Sequence, residues 1–201
     1  MNMIKRLAVI PLCLLLALLP ARAQRVDNRL AETWYQYAPA LADIGLGLTG
    51  VQAEHGILDR SIELGCAYAA ELILVNGILK NVIREERPDG STFNSFPSGH
   101  TAFAFTGAEL VRKEYGWGWG AGAYAVATCV GVARVCHKRH WWWDTVAGAG
   151  CGILCANIGG WLLEPTKRLF GIKETPGVQL SMAPVADPFT GTVCASLSLT
   201  F

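Results

Sequence analysis

The sequence predicts an all-α fold, a bundle of hydrophobic helices followed by a short β-hairpin-like tail. Five stretches dominated by Leu, Ile, Val, Ala and Gly are separated by turn signals, which favours helices. Hydrophobic residues make up 52% of the 201 residues and charged residues 16%, a balance shifted toward membrane proteins. From residue 178 onward hydrophobic residues alternate with Ser and Thr, which is typical of strands.

The predicted helices lie within residues 38–52, 61–83, 101–111, 121–135 and 145–163. Two of these stretches, 61–83 and 145–163, are long enough to cross a bilayer. The first of them carries Glu63, Glu71 and Asn76, and membrane spans rarely carry acids unless these face the interior of a bundle. The sequence therefore predicts either a compact membrane bundle or a hydrophobic bundle that rests on the membrane.

The N-terminus has the organisation of a secretory signal. Lys5 and Arg6 precede an apolar run over residues 7–19, and Ala21-Arg22-Ala23 matches an A-x-A cleavage site. We therefore predict a signal peptide at 1–23, a helical domain at 24–170 and a β-like tail at 171–201, with a retained signal anchor as the alternative. A signal peptide at this position predicts that the protein is exported to the cell envelope. The net charge of +1 argues against a nucleic-acid partner.

The orientation in a membrane follows from the basic residues. If successive helices alternate in direction and the chain starts outside, the segments 80–99 and 134–140 both lie outside. Arg60, Arg112, Lys113, Lys167 and Arg168 then lie inside, which fits the positive-inside bias, whereas the basic cluster at 134–139 lies outside against the bias and is expected to serve the chemistry. The segments outside are the ones that carry the chemistry described next, so we expect the active site on the periplasmic side of the membrane.

The first of three polar blocks ends the second apolar stretch. Lys80 and Arg87 are seven residues apart, so on a helix closed by Pro88 they would point from nearly the same face. Two cations on one face can clamp a phosphate, and Arg offers two parallel donors. The block also fits a solvated basic helix end that is balanced by Glu85 and Glu86.

The second block is FPSGH at residues 96–100, which opens a helix at Thr101. A Gly/Ser turn that leads into a helix presents backbone N–H groups and the positive end of the helix dipole, a combination that favours an anion. Ser98 adds a hydroxyl donor, and His100 can donate or accept a proton near neutral pH. Alone, the block could be a capped helix start with an incidental histidine.

The third block contains Arg134, His140 and Asp144. His140 and Asp144 have i, i+4 spacing, so on a helix they would share a face. A carboxylate that holds one imidazole nitrogen leaves the other nitrogen able to attack, and Arg134 can balance charge on a transferring phosphoryl group. The alternatives are a helix-capping pair, or a metal site formed by His137, His140 and Asp144.

Together and in this order, K-x6-RP, PSGH and R-x5-H-x3-D are far more specific than any one block. The series resembles the signature of the type-2 phosphatidate phosphatase family, which shares its fold with bacterial acid phosphatases and vanadium haloperoxidases. The resemblance covers residues 80–144 and implies a helical bundle. Ala133 departs from the pattern, because many members have Ser before the arginine, so one phosphate contact of the family is missing here.

The resemblance implies a phosphatase that forms a phosphohistidine and needs no metal or cofactor. His140 would be the nucleophile, Asp144 would orient it, and His100 would protonate the leaving oxygen and later activate water. The phosphate would be held by Lys80, Arg87, Ser98, Arg134 and the backbone N–H of Gly99. From the residues alone, the choice between His140 and His137, and between Arg87 and Arg84, stays open. His55 and His137 are interpreted as structural.

The expected substrate is a phosphate monoester or diphosphate of an envelope lipid. The predicted export and the hydrophobic helices favour it, as do Trp141, Trp142 and Trp143, because indoles suit a membrane interface. Core packing is the alternative for these tryptophans. Three other functions fit the residues: a periplasmic acid phosphatase for soluble esters, a haloperoxidase for which the chain looks short, and a non-catalytic membrane protein that binds phosphate.

Overall fold

The computed structural model describes residues 34–172, 179–186 and 193–200. In these residues a 3-10 turn, Tyr35–Tyr37, leads into α1, and four more helices follow. The helices are α1 (Ala38–Leu48), α2 (Ile57–Val82), α3 (Gly99–Tyr115), α4 (Trp117–Cys136) and α5 (Trp142–Leu169). Strands β1 (Gln179–Ala186) and β2 (Val193–Thr200) pair antiparallel, with Gln179 opposite Thr200. The predicted helical bundle with a hairpin tail is confirmed.

The predicted division into domains is not tested by this architecture. The signal peptide at 1–23 lies outside the described residues, and so do parts of the predicted tail at 171–201. The strands β1 and β2 fall within that tail. The boundaries at residues 24 and 170 therefore stay predictions.

Helix α2 ends at Val82 and does not continue to Pro88, where the first polar block placed its end. It is α-helical over Ile57–Glu71, π-helical over Leu72–Leu79 and α-helical again for one turn, Lys80–Val82. Ile83 is extended, and the segment after it forms its own hydrogen bonds, from Ser95 N to Glu85 O at 3.0 Å and from Arg87 N to Thr92 O at 3.0 Å. The expectation that Lys80 and Arg87 share one helix is wrong, because Arg87 lies in the loop.

Helix α3 forms the centre of the bundle, and most of the core residues at its contacts are small. Ala104 and Ala108 pack with Ala127 and Val130 of α4, and Leu110 packs with Ala67 of α2 and Ala156 of α5. Small side chains let helix backbones approach closely, which gives van der Waals contact without a need for large apolar residues. This close packing fixes both ends of α3 relative to α2, α4 and α5.

Three helices among the described residues are long and apolar enough to cross a membrane: α2, α4 and α5. The sequence predicts two of them but not α4, because the first turn of α4, Trp117–Gly120, is glycine-rich and is typical of a connection. With that turn included, α4 has 20 residues, which matches the length that a span requires. Large apolar side chains on these helices are exposed, among them Leu72, Val82, Val146 and Trp161.

Candidate active site

The second and third sequence blocks meet at the N-terminal ends of α3 and α5. Ser98 precedes the first residue of α3, and its backbone N–H donates to the carbonyl oxygen of Asp144 at 3.0 Å. Gly148 makes the contact possible, because a Cβ atom there would lie 2.5 Å from the carbonyl oxygen of Ser98. Helix α5 therefore packs directly on the turn that opens α3, and this contact brings His140 to the predicted phosphate-binding loop.

His140 is buried, with 2% of its surface exposed, and its ring is held by the backbone. Its Nδ1 lies 2.8 Å from the carbonyl oxygen of Ser95. A carbonyl oxygen can only accept, so Nδ1 carries the hydrogen and Nε2 carries the lone pair in the neutral ring. The tautomer is therefore the one that a nucleophilic Nε2 requires.

Asp144 reaches His140 largely through Ser95. Its Oδ2 accepts from Ser95 Oγ at 2.5 Å and from the backbone N–H of Trp141 at 2.9 Å, and it lies 3.7 Å from His140 Nδ1. The last distance is within ion-pair range and beyond a hydrogen bond. The two residues make the expected contact as an ion pair, but not from one helix and not through a direct hydrogen bond, because α5 begins at Trp142 and His140 precedes it.

Ser95 is the residue of the site that sequence reasoning missed. It is fully buried, its carbonyl fixes the ring of His140, and its hydroxyl donates to Asp144. Every residue has a backbone carbonyl, so the residue type at position 95 gives no sign of this contact. The only available signal was a Ser three residues before Ser98 in a loop already singled out.

The predicted phosphate-binding groups surround the N-terminus of α3. A Cβ atom on Gly99 would lie 3.3 Å from Lys80 Nζ, so the absent side chain leaves the first turn open beside this ammonium group. Arg134 is buried in the last turn of α4. Neither Lys80 nor Arg87 makes an ion pair with another described residue. Ser98 is fully buried, and its Oγ lies 2.9 Å from Thr101 Oγ1, so this hydroxyl is already engaged within the turn.

The two histidines of the site respond to the same positive charges. Burial lowers the pKa of His140 to about 4, with the charges of Arg134 and Arg87 acting in the same direction, while the Ser95 carbonyl and Asp144 oppose the shift. Burial also lowers the pKa of His100 to about 4, and the charges of Arg134, His140, Lys80 and Arg87 lower it further. Both rings are neutral near pH 7 when no anion is bound.

The structure also separates the residues that the sequence could not distinguish. His137 and Arg84 are exposed, whereas His140 is buried and Arg87 is half-buried. The metal alternative built on His137, His140 and Asp144 does not form a cluster. Among the described residues, the side chains close enough together to share a metal ion are His55, Glu63 and Glu114.

The cluster of His55, Glu63 and Glu114 lies away from the candidate active site. Glu114 is 15 residues from Gly99 along α3, a distance of about 22 Å at the rise of an α-helix. His55 Nδ1 lies 2.9 Å from Glu114 Oε1, and Lys113 Nζ forms an ion pair with Glu63. These groups therefore neutralise one another within the chain.

The three tryptophans stand at the rim of the site. Trp141 and Trp143 stack with ring centroids 5.1 Å apart, and they are 39% and 38% exposed, while Trp142 is 64% exposed. The indole N–H of Trp141 donates to Glu86 O at 2.9 Å, and that of Trp143 donates to Glu85 Oε1 at 2.7 Å. These exposures do not fit core packing. The tryptophans tie the start of α5 to the loop that carries Arg87.

Comparison with known protein families agrees with this arrangement. The PAP2 superfamily model matches residues 61–166, which contain every residue of the site and parts of the four helices around it. The chain belongs to the PAP2 superfamily. The resemblance that the three sequence blocks suggested is thereby confirmed.

Two individual proteins are similar to this PAP2 chain. It is 36% identical over 136 residues to a lipid A 1-phosphatase of Porphyromonas gingivalis, a match that covers 64% of this chain and 30% of that protein. It also resembles the crystal structure of LpxE from Aquifex aeolicus, with 24% identity, a TM-score of 0.54, and coverage of 74% of this chain and 94% of that one. This second likeness shows a shared fold.

Proposed function

We propose that this PAP2 protein is a phosphatase that hydrolyses phosphate monoesters or diphosphates of envelope lipids through a phosphohistidine on His140, without a metal. The observation that carries the proposal is the state of His140. Its ring is buried and neutral, and the Ser95 carbonyl holds the hydrogen on Nδ1, so the Nε2 lone pair is available. Lys80, Arg87 and Arg134 provide the positive charge that a phosphate dianion requires.

In the first step Nε2 of His140 attacks phosphorus, and the bond between phosphorus and the leaving oxygen breaks. The bound dianion offsets the charges that lower the pKa of His100, so His100 takes up a proton and can give it to the leaving oxygen. The positive charge that forms on the His140 ring is balanced by Asp144, 3.7 Å from Nδ1.

In the second step His100, now neutral, removes a proton from water as the water attacks phosphorus. The phosphorus–nitrogen bond breaks, its electron pair returns to Nε2, and phosphate leaves. Splitting the reaction at the phosphohistidine replaces one difficult displacement by two easier ones. Throughout, the cations and the α3 N-terminus stabilise charge on the three equatorial oxygens.

The position of the site supports a lipid substrate rather than a soluble ester. His140 stands two residues before the start of α5, and Lys80 lies in the last turn of α2, both helices being long and apolar enough to span a membrane. The reacting groups are then near the headgroup level, where exposed indoles such as Trp142 are enriched. The similarity to a lipid A 1-phosphatase supports a phosphorylated lipid. The basic residues at the opposite helix ends support a periplasmic site.

The test is phosphate release by the detergent-purified chain from a panel of envelope lipid phosphates and p-nitrophenyl phosphate, with and without EDTA. We expect release from at least one lipid that resists EDTA and is absent in His140→Ala. A preference for p-nitrophenyl phosphate would favour a soluble-ester phosphatase instead. Release that survives His140→Ala contradicts the mechanism, and the absence of release from every substrate would leave a phosphate-binding protein.

A further inference from the structure

The π-helical segment of α2 carries one polar residue among apolar ones. In Leu72–Leu79 the sequence is LILVNGIL, and the polar residue is Asn76. Asn81 Nδ2 donates to Asn76 O at 3.1 Å and to Gly77 O at 2.8 Å, so a side chain satisfies the carbonyl groups that the widened turn exposes. π-helical turns occur frequently at functional sites, because they redirect side chains relative to a regular helix.

The side chain of Asn76 reaches the phosphate-binding end of α3. The Cβ position on Gly99 lies 3.7 Å from Asn76 Oδ1 and 3.3 Å from Lys80 Nζ. The carboxamide, the ammonium group and the first residue of α3 therefore border one small space. Asn76 thus lies beside two of the groups proposed to hold the phosphate.

The carboxamide of Asn76 makes no hydrogen bond with another described residue. The residue is exposed, so its carboxamide is neither buried in the core nor bonded to a neighbouring helix. Asn76 instead faces an open position next to Lys80. A ligand at the N-terminus of α3 would offer an acceptor to its amide hydrogens.

We infer that Asn76 is a substrate-binding residue whose Nδ2 donates a hydrogen bond to a non-bridging phosphate oxygen beside Lys80 and the Gly99 N–H. The two ends of a carboxamide exchange places by rotation about the Cβ–Cγ bond, so the group that lies near Lys80 can present either oxygen or nitrogen. Lys80 and Asn76 then contact the phosphate from α2, on one side of the α3 N-terminus. This inference rests on the proposed phosphatase function.

The test compares Asn76→Leu and Asn76→Asp with the wild type by vanadate inhibition and by steady-state kinetics on the preferred lipid. Hydrogen bonds to charged groups contribute about 1.5–3 kcal/mol, so Asn76→Leu should weaken vanadate inhibition and lower kcat/KM by about 10- to 150-fold. Asn76→Asp keeps the shape but adds a negative charge, and its loss should be larger. Leu72→Ala, an exposed apolar position in the same segment, is the matched control and should change neither quantity.

The outcomes separate this inference from the proposed function. Suppose that the wild type is active and that the vanadate inhibition constants of both Asn76 variants stay within about twofold of the wild-type value. This result would overturn the role of Asn76 and leave the proposed phosphatase function intact. If the wild type releases no phosphate, the proposed function fails, and the shift in melting temperature caused by vanadate then tests Asn76 alone. That shift should be present in the wild type and in Leu72→Ala and reduced in Asn76→Asp, and an equal shift in all three would overturn the inference.

Discussion

The charged side chains at the two ends of α3 are arranged differently. At the N-terminal end, Lys80, Arg87 and Arg134 gather around two neutral histidines, and burial together with these charges lowers the pKa of His100 to about 4. At the C-terminal end, the acids Glu63 and Glu114 pair with basic side chains of the same chain. Burial alone would lower the pKa of His55 there as well, but its hydrogen bond with Glu114 and the charges of nearby acids raise it overall.

The difference indicates which end is built for a ligand. A buried charge is costly unless it is paired, so a polar layer that only supports the fold contains both signs. At the N-terminal end, Lys80 and Arg87 make no ion pair with another described residue, so a ligand can supply the negative charge there. The comparison therefore predicts that substitutions near Gly99 affect turnover, whereas substitutions near Glu114 affect stability.

The largest expected effect distinguishes three of the four histidines of the chain. His140→Asn should lower kcat/KM by about four orders of magnitude or more, because it removes the nucleophile. His137→Asn and His55→Asn, one exposed near the site and one at the opposite end, should leave kcat/KM of the folded protein within about threefold. Comparable losses in all three variants would remove the functional distinction between the two ends.

The next effect concerns the two arginines that the sequence could not separate. Arg87→Met should lower kcat by about 100- to 1,000-fold, because it removes a donor that stabilises charge in the transition state. Arg84→Met is the matched control at an exposed position of the same loop. Steady-state kinetics on the preferred substrate measure both, and equal losses would contradict the assignment of Arg87.

A smaller effect is expected at Ser95. Ser95→Ala keeps the carbonyl that binds His140 Nδ1 but deletes the hydroxyl that donates to Asp144. One orienting hydrogen bond is worth about 1 kcal/mol, so kcat should fall by about fivefold to tenfold with little change in KM. A rise in KM at constant kcat would place Ser95 in substrate binding instead.

The smallest effect is a difference in proton affinity. In nuclear magnetic resonance titrations, His55 should titrate above the usual range of a histidine, and His100 and His140 near pH 4. Because the site histidines bind protons more weakly when folded, they make the protein less stable as the pH falls from 6.5 toward 4. Saturating vanadate should raise the pKa of His100 and leave His55 unchanged. A shift at His55 alone would contradict the charge comparison.

Much of the active-site end could be predicted from sequence because its parts are local motifs. The PSGH turn and the spacing of His140 and Asp144 are visible as residue types, and the order of the blocks adds specificity. The apolar stretches gave the helices because small and aliphatic residues dominate them. The hairpin followed from simple alternation, which the pairing of Gln179–Ala186 with Val193–Thr200 matches.

The parts that could not be predicted depend on backbone geometry and tertiary contacts. The carbonyl of Ser95 binds His140 regardless of which side chain residue 95 carries. The loop after Val82 forms its own hydrogen bonds, so Pro88 was a misleading marker for the end of α2. The pairing of His55 with Glu114 joins residues 59 positions apart, and no local pattern reports such a contact.

The central claim is that phosphate passes through a covalent bond to His140. Rapid acid-free quenching of the chain with a radiolabelled substrate, followed by digestion and mass spectrometry, tests it directly. We predict a phosphorylated peptide that contains His140, stable in base and labile in acid, that forms and decays at the rate of turnover and is absent in His140→Asn. Turnover with no labelled protein, or label on any other residue, would contradict the account.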